Sequence, residues 1–143
     1  MGSTARARRM PRRRRSVTQS FVVGDHTGHL TTSLFEDGAV GQIDLQLAKQ
    51  GSALAGWAES LAVAVSLGLQ QGVPLEDYVQ RFTDPRTAPR RPTDDADVPR
   101  AASVVDYLAR RLAIDHLPLD VRRDLDVLTP QECDPFPDRA HLH

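Results

Sequence analysis

The chain is poor in several of the residues on which small proteins build chemistry. It has one cysteine, Cys133, in 143 residues, which excludes an internal disulfide framework and any metal cage made of cysteines alone. No apolar run approaches the ~18 residues that a membrane span requires. The opening MGSTARARRMPRRRR has no apolar stretch of the kind a secretory signal carries. A cytoplasmic chain is therefore expected. Aromatic residues make up 5% of the sequence and none precedes Phe21, so the basic N-terminus lacks the stacking rings with which single-stranded nucleic acid is usually held. Neither a glycine-rich phosphate loop nor a nucleophile elbow occurs. His26, His29, His116, His141 and His143 show no metal-ligand spacing, and no metal site is expected.

What is present is an uneven distribution of charge. The formal net charge is −1, yet residues 1–15 carry seven arginines and no acid, while the remainder holds 11 basic and 19 acidic residues. A +7 segment is thus joined to a −8 body. The segment can fold back onto that body, or it can reach for a partner of opposite charge. Basic charge comes from seventeen arginines and one lysine, Lys49, a bias that a GC-rich genome produces without selection at each site.

The pattern of apolar residues predicts an α+β fold, a three-stranded antiparallel meander packed against three or four helices. VTQSFVV (17–23) is β-branched and aromatic and stops at the turn-forming cluster Gly24–Gly28. HLTTSLF (29–35) alternates, with Leu30, Thr32 and Leu34 on one face. Asp37-Gly38 supplies a second tight turn, and Ile43, Leu45 and Leu47 then alternate with polar residues, the mark of a sheet wet on one side. Ser52 is a suitable N-cap for a helix over 53–71, whose inward face is expected to be Leu54, Trp57, Ala58, Leu61, Val65 and Leu69. Its other surface is small-sided and open to close approach by a second element. Pro74 opens a short helix bearing Leu75, Tyr78, Val79 and Phe82. A proline-rich, acidic loop covers 83–97, long enough to carry function or to lack order. A helix over about 99–116 turns Val104, Val105, Leu108 and Leu112 inward, and 119–128 has helical spacing. The expected organisation is a flexible arginine-rich tail over 1–10, the α+β domain over 11–128 and a flexible tail over 129–143.

Four blocks in this order resemble the C-terminal, TSCPD-type region of class II, adenosylcobalamin-dependent ribonucleotide reductases. They are MPRRRRSVTQSFVVG (10–24), SLFEDGAVGQIDLQLAKQGSALAG (33–56), AVSLGLQQGVPLEDYVQRF (64–82) and PRAASVVDYLARRLAIDHLP (99–118). The resemblance covers about three-quarters of the chain and implies a link to deoxyribonucleotide synthesis. Ribonucleotide reduction needs one cysteine for the radical and a pair for electrons, so a chain with one cysteine has no catalytic residues to inherit. The family's large barrel and cysteine-rich terminus are missing as well. Adenosylcobalamin is the family's cofactor, and none is expected to be bound by this chain.

Candidate contacts for phosphate or a partner are the arginines. Arg12, Arg13, Arg14 and Arg15 can grip oxyanions through paired guanidinium donors, and Arg86, Arg90 and Arg91 lie in the proline-rich loop, where binding residues often sit. Asp106 is expected to be an exposed i,i+4 partner of Arg110; with Tyr107, Asp115 and His116 it also raises acid–base chemistry as a possibility. The expected function is an accessory domain, not catalytic alone, that binds a ribonucleotide reductase catalytic subunit or a nucleotide through the arginines, with a homodimer through a sheet edge or the small-sided helix face as a further option. The alternative is a basic-tailed nucleic-acid-binding or regulatory protein on the same domain, with nucleic acid the less favoured partner. A remnant with no present role is the third reading.

Overall fold

The computed structural model describes residues 7–48, 53–84 and 89–133. Its central feature is an antiparallel meander of β1 (Ser16–Val23), β2 (His26–Leu34) and β3 (Val40–Leu47), in the order β1-β2-β3. The first turn is tighter than expected. His26 already pairs with Val23, leaving Gly24 and Asp25 as a two-residue hairpin turn with Gly24 at φ 61°, the geometry a two-residue loop demands of its first central residue. Register sorts the side chains cleanly. Val17, Thr32 and Ile43 form one cross-strand row, Gln19, Leu30 and Leu45 the next, and Phe21, Gly28 and Leu47 the third. These rows face the core, except that Val17 at the start of β1 is left exposed. The opposite face reads Thr18, Thr31 and Asp44, then Ser20, His29 and Gln46, and is polar apart from Val22 opposite Thr27.

Helix α1 (Ala53–Gln70) lies along β3, and here one expectation is corrected. Its buried residues are Ala55, Ala58, Ala62, Val65, Ser66 and Leu69, whereas Leu54 and Trp57 are 44% and 59% exposed. The physical reason is the edge of the sheet. Outward-facing backbone groups of β3 would be unpaired, and α1 caps them: the Ser66 hydroxyl accepts from the Ile43 N–H at 2.9 Å and donates to the Ile43 carbonyl at 3.1 Å, and Gln70 Nε2 donates to the Gly41 carbonyl at 2.9 Å. A helix brought that close turns mostly small side chains inward. By length and composition α1 is also apolar enough to cross a membrane, which the sequence reading did not anticipate; its inner face is instead part of the core.

Helix α2 (Leu75–Phe82) folds sharply against the end of α1. Gly68 makes this possible: a Cβ there would sit 1.7 Å from the Tyr78 hydroxyl. The proline-rich loop closes through a two-residue hairpin, β4 (Arg91–Pro92) with β5 (Arg100–Ala101). Its start also covers the other sheet edge, because the Gly24 N–H donates to the Pro92 carbonyl, the Asp94 N–H to the Val22 carbonyl and the Val22 N–H to the Asp94 carboxylate. Helix α3 (Val104–His116) is capped by the Ser103 hydroxyl, which accepts from the Asp106 N–H at 3.0 Å. Two short helices follow, α4 (Leu119–Leu125) and α5 (Pro130–Cys133).

The segment ahead of β1 lies against the sheet in its described part. The Arg8 guanidinium stacks 3.8 Å above the Phe35 ring and pairs with Asp37 at 3.2 Å. The chain from 129 onward begins with a capping box: the Thr129 N–H donates to Glu132 Oε1 at 2.9 Å and the Glu132 N–H to Thr129 Oγ1 at 3.3 Å, with Pro130 at the first helical position. The N-cap expected at Ser52, residues 1–6 of the tail, Arg86, and His141 and His143 lie outside the described residues.

Candidate functional site

The most concentrated cluster of ionisable groups joins two of the acid–base candidates, Tyr107 and Asp115, to Arg111, Asp95 and Asp97. Arg111 on α3 is buried, and its guanidinium reaches Asp95 at 2.9 Å, Asp97 at 3.2 Å and Asp115 at 2.6 Å. The Tyr107 hydroxyl donates to Asp95 Oδ2 at 2.7 Å, and Gln19 Nε2 reaches the same oxygen at 3.3 Å. Burial alone would push the Asp95 carboxyl up, but the Tyr107 hydroxyl and the Arg111 guanidinium outweigh it and hold the group below the usual carboxylate range. Tyr107 moves the opposite way, raised first by burial and then by its bond to Asp95. Burial opposes the charge on Arg111, and Asp115 and Asp95 more than restore it. The inner groups thus spend their donors and acceptors on one another. This is a clamp that ties the acidic loop to α3 and β1, with no reacting atom presented to a substrate.

Asp106 is a second correction. It is fully buried, not exposed. One carboxylate oxygen accepts from Arg110 Nε at 3.0 Å and the Asp84 N–H at 2.9 Å, the other from the Ala102 N–H at 2.8 Å. The i,i+4 spacing identified the pair, and Ala102 is as close in sequence on the other side, but the Asp84 donor comes from a segment that only the folded chain brings near.

The predicted arginines do not form one surface. Arg12, Arg13, Arg14 and Arg15 are exposed just before β1, and the last three border an open cleft of about 500 Å³ with Leu34, Phe35 and Glu36. Arg91 lies at the opposite end of the sheet, paired with Asp25 at 3.0 Å beside the first hairpin turn. The eight residues of β1 separate the two places, about 25 Å at ~3.3 Å per residue. Arg90 borders a third region, a cleft of about 210 Å³ shared with Arg100 and Arg110. The largest of these clefts is lined by arginines without a histidine, and the thiol of Cys133 is exposed on α5. Among the described residues no group of three or more histidine, cysteine or acidic side chains is placed to hold a metal ion.

What the fold leaves unpartnered is the outer face of α1. Leu54 and Trp57 are joined there by Val63 and Leu67, 68% and 59% exposed, and Val73 follows just past the helix end. Glu59 is the one charged residue in the eighteen of α1. A contiguous apolar patch of this kind, on the order of 500 Å², marks an interaction surface more often than free surface.

The chain matches the TSCPD domain over residues 4–116. It is 46% identical over 125 residues to the vitamin B12-dependent ribonucleotide reductase of Streptomyces avermitilis, covering 87% of this chain and 13% of that protein. The enzymes of the same description from Bradyrhizobium diazoefficiens and Rhodopirellula baltica are 42% and 40% identical over 125 and 109 residues, covering 87% and 76% of this chain and 10% of each relative. No solved structure matches. The chain therefore spans only about a tenth of the length of most curated relatives it matches, and corresponds to their TSCPD portion. With more than three-quarters of its length inside the matched region, and the sheet, α1, α2 and α3 all falling there, the chain belongs to the TSCPD domain family.

Proposed function

We propose that this chain is an accessory domain of a B12-dependent ribonucleotide reductase system, and that it docks onto the catalytic portion of such an enzyme through the outer face of α1. The observation that carries the reading is the exposed Leu54, Trp57, Val63 and Leu67 on a domain whose relatives carry it within chains several times longer. In those relatives the rest of the enzyme is the neighbour available to cover that face. The sheet edges are less suited to the role, because α1 caps β3 and the 92–94 segment caps the end of β1.

In this reading the chain works in the cytoplasm and contributes no radical chemistry, and adenosylcobalamin is held by the catalytic portion. The test is co-elution of the purified chain with a B12-dependent reductase from which the TSCPD region has been removed. A stable complex is expected, and Trp57→Ser should weaken it by at least ~30-fold, the cost of losing a central aromatic anchor, without lowering the melting temperature. Failure to associate, or association indifferent to Trp57→Ser and Leu67→Ser together, overturns the reading. Self-association through the same face, or salt-sensitive binding to single-stranded DNA in its place, would replace it with a homodimer or a nucleic-acid binder.

A further inference from the structure

The core face of the sheet is left open at one corner. Beside the exposed Val17 a cleft of about 320 Å³ runs between β1, β2 and the C-terminal end of α3, floored by Leu30, Thr32 and Leu34. Thr32 is 7% exposed, yet its hydroxyl has no hydrogen-bond partner among the described residues. The unpartnered side-chain atoms sealed from solvent there belong to Arg90 alone, so the Thr32 hydroxyl is reachable, and the cleft is the space it opens on. A buried hydroxyl without a protein partner calls for one in that space. Two further groups close on it. Gln19 spends Nε2 on Asp95 and the Tyr107 hydroxyl, at 3.3 and 3.4 Å, and keeps Oε1 as a free acceptor. His116 ends α3 half-buried, with neither ring nitrogen bonded among the described residues. Burial holds its imidazole below the ordinary range, so at pH 7 it is neutral and offers one donor and one acceptor. Asp115 adds a carboxylate at the rim. Because Asp95, Asp97 and Asp115 share the one Arg111 guanidinium, this wall is net negative: acceptors predominate, and an anion is repelled.

The charge changes sign one step along β1. The register that pairs Ser16 with Ser33 continues to Arg15, whose carbonyl accepts from the Leu34 N–H at 2.9 Å. Strand alternation puts Arg15 on the face of Val17 and Gln19, about 7 Å from Val17 at ~3.3 Å per residue. Arg15 is exposed, and its guanidinium is in no ion pair among the described residues. Leu34 borders both this cleft and the arginine-lined one.

We infer that this cleft binds a flat, uncharged heteroaromatic ring bearing an exocyclic amine, and that Arg15 holds a phosphoryl tail attached to it, the chemistry of an aminated base and its phosphate. The ring lies on the apolar side chains of Leu30 and Leu34. Its amine answers the surplus of acceptors at Gln19 and Asp115, and its ring nitrogens answer Thr32 and His116. The volume stands at the lower end of the ~300–1,000 Å³ of small-molecule pockets, so one ring and its sugar fill it. An aliphatic side chain from a partner would leave the Thr32 hydroxyl and Gln19 Oε1 unmet, at a cost. Free phosphate would enter against the acidic wall. None of these residues lies on the outer face of α1, so this site and the docking reading stand or fall separately.

The experiment is calorimetric titration of the full chain with the 5′-monophosphates of adenosine and cytidine, against those of inosine and uridine, which carry a carbonyl where the first two carry the amine. Ribose 5-phosphate and the free nucleosides are run beside them, on the wild type, Thr32→Val and Arg15→Gln. Saturable binding of at least one aminated nucleotide is expected. Its deaminated counterpart should bind at least ~10-fold more weakly, because acceptors would then face a carbonyl, and ribose 5-phosphate more weakly still. Thr32→Val should weaken the aminated nucleotide about fivefold, the worth of one neutral hydrogen bond. It should leave the melting temperature of the free chain unchanged or higher, since the hydroxyl has no protein partner to lose. Arg15→Gln should weaken the nucleotide about tenfold, the worth of one charged hydrogen bond, and the nucleoside not at all. Absence of saturable binding by both aminated nucleotides overturns the inference. So does equal affinity for the deaminated forms or for ribose 5-phosphate, an affinity unmoved by Thr32→Val or by Arg15→Gln, or a lower melting temperature in Thr32→Val, which would reveal a structural partner for the hydroxyl.

Discussion

Replacing Asp106 by alanine is the sharpest test of how this domain is held together. Were Asp106 an exposed i,i+4 partner of Arg110, its loss would cost ~0.3–0.5 kcal/mol. The structure demands far more. Asp106 is fully buried, Arg110 beside it is 11% exposed, and the carboxylate also satisfies the backbone N–H groups of Asp84 and Ala102. Removing one member of a buried pair costs ~3–5 kcal/mol, because the other is left charged and unmatched. Each stranded N–H adds up to ~1–3 kcal/mol, less whatever water regains. Since these losses share one cavity they do not simply add, and a total of about 4 kcal/mol is expected, a large part of the ~5–15 kcal/mol that ordinary domains possess. Urea unfolding followed by far-ultraviolet circular dichroism would read this as a midpoint lowered by about 2 M, for a slope near 2 kcal/mol per M. Asp106→Asn should lose less, as it keeps one acceptor oxygen. The double variant Asp106→Ala/Arg110→Met should be more stable than Asp106→Ala alone, because the orphaned cation has gone. A loss below ~1 kcal/mol in the single variant, or no recovery in the double, would refute the reasoning.

Gly68→Ala should destabilise by ~1–3 kcal/mol through overpacking, although alanine is the better helix former, because its Cβ meets the Tyr78 hydroxyl; adding Tyr78→Phe should recover most of the loss in the same urea experiment. Acid should loosen the C-terminal turn. The Arg122 guanidinium, bonded to both Glu132 oxygens at 2.6 and 2.9 Å, holds that carboxyl at about 2, against an ordinary 4.5. A depressed carboxyl contributes stability that is fully present above its unfolded value and lost as pH falls through the folded one, so the contribution should fade from about pH 4.5 to about pH 2. Glu132→Gln should cost ~1 kcal/mol at pH 7 and nothing further at pH 2, read as thermal midpoints across that range; equal midpoints at pH 7 would sink the argument. Leu54→Ser and Val63→Ser, on the outer face of α1, should change stability by no more than ~0.5 kcal/mol, whereas Ala62→Leu on the inner face should unseat the helix, a contrast that differential scanning calorimetry resolves.

The sequence by itself determined the elements and their order. Alternation over 42–47 and the glycine-bearing turns are local properties, set by the two-residue period of a strand and by φ/ψ sterics, and they survive into the structure. So do the helices near 53–70, 75–82 and 104–116, whose apolar residues recur at helical spacing. The family, too, was legible in the order of four blocks. Ala58, Val65 and Leu69 turn inward as their spacing predicts, but how far α1 is rotated about its axis was decided only by tertiary structure. Leu54 and Trp57 form the more apolar stripe, yet the open edge of β3 needed Ser66 and Gln70 against it, and a backbone seeking hydrogen bonds outweighed a larger apolar area. The same holds for the charges. Asp95 reads as one acid in a solvated run until Tyr107, Arg111 and Gln19, from 12 to 76 residues away, close around it. Arginines adjacent in sequence, Arg91 and Arg90, part company because Arg91 meets Asp25 at the sheet edge while Arg90 lines a cleft with Arg100 and Arg110. Local patterns carry periodicity; only the folded chain determines which polar groups lose their water, and that loss decides what each of them can do.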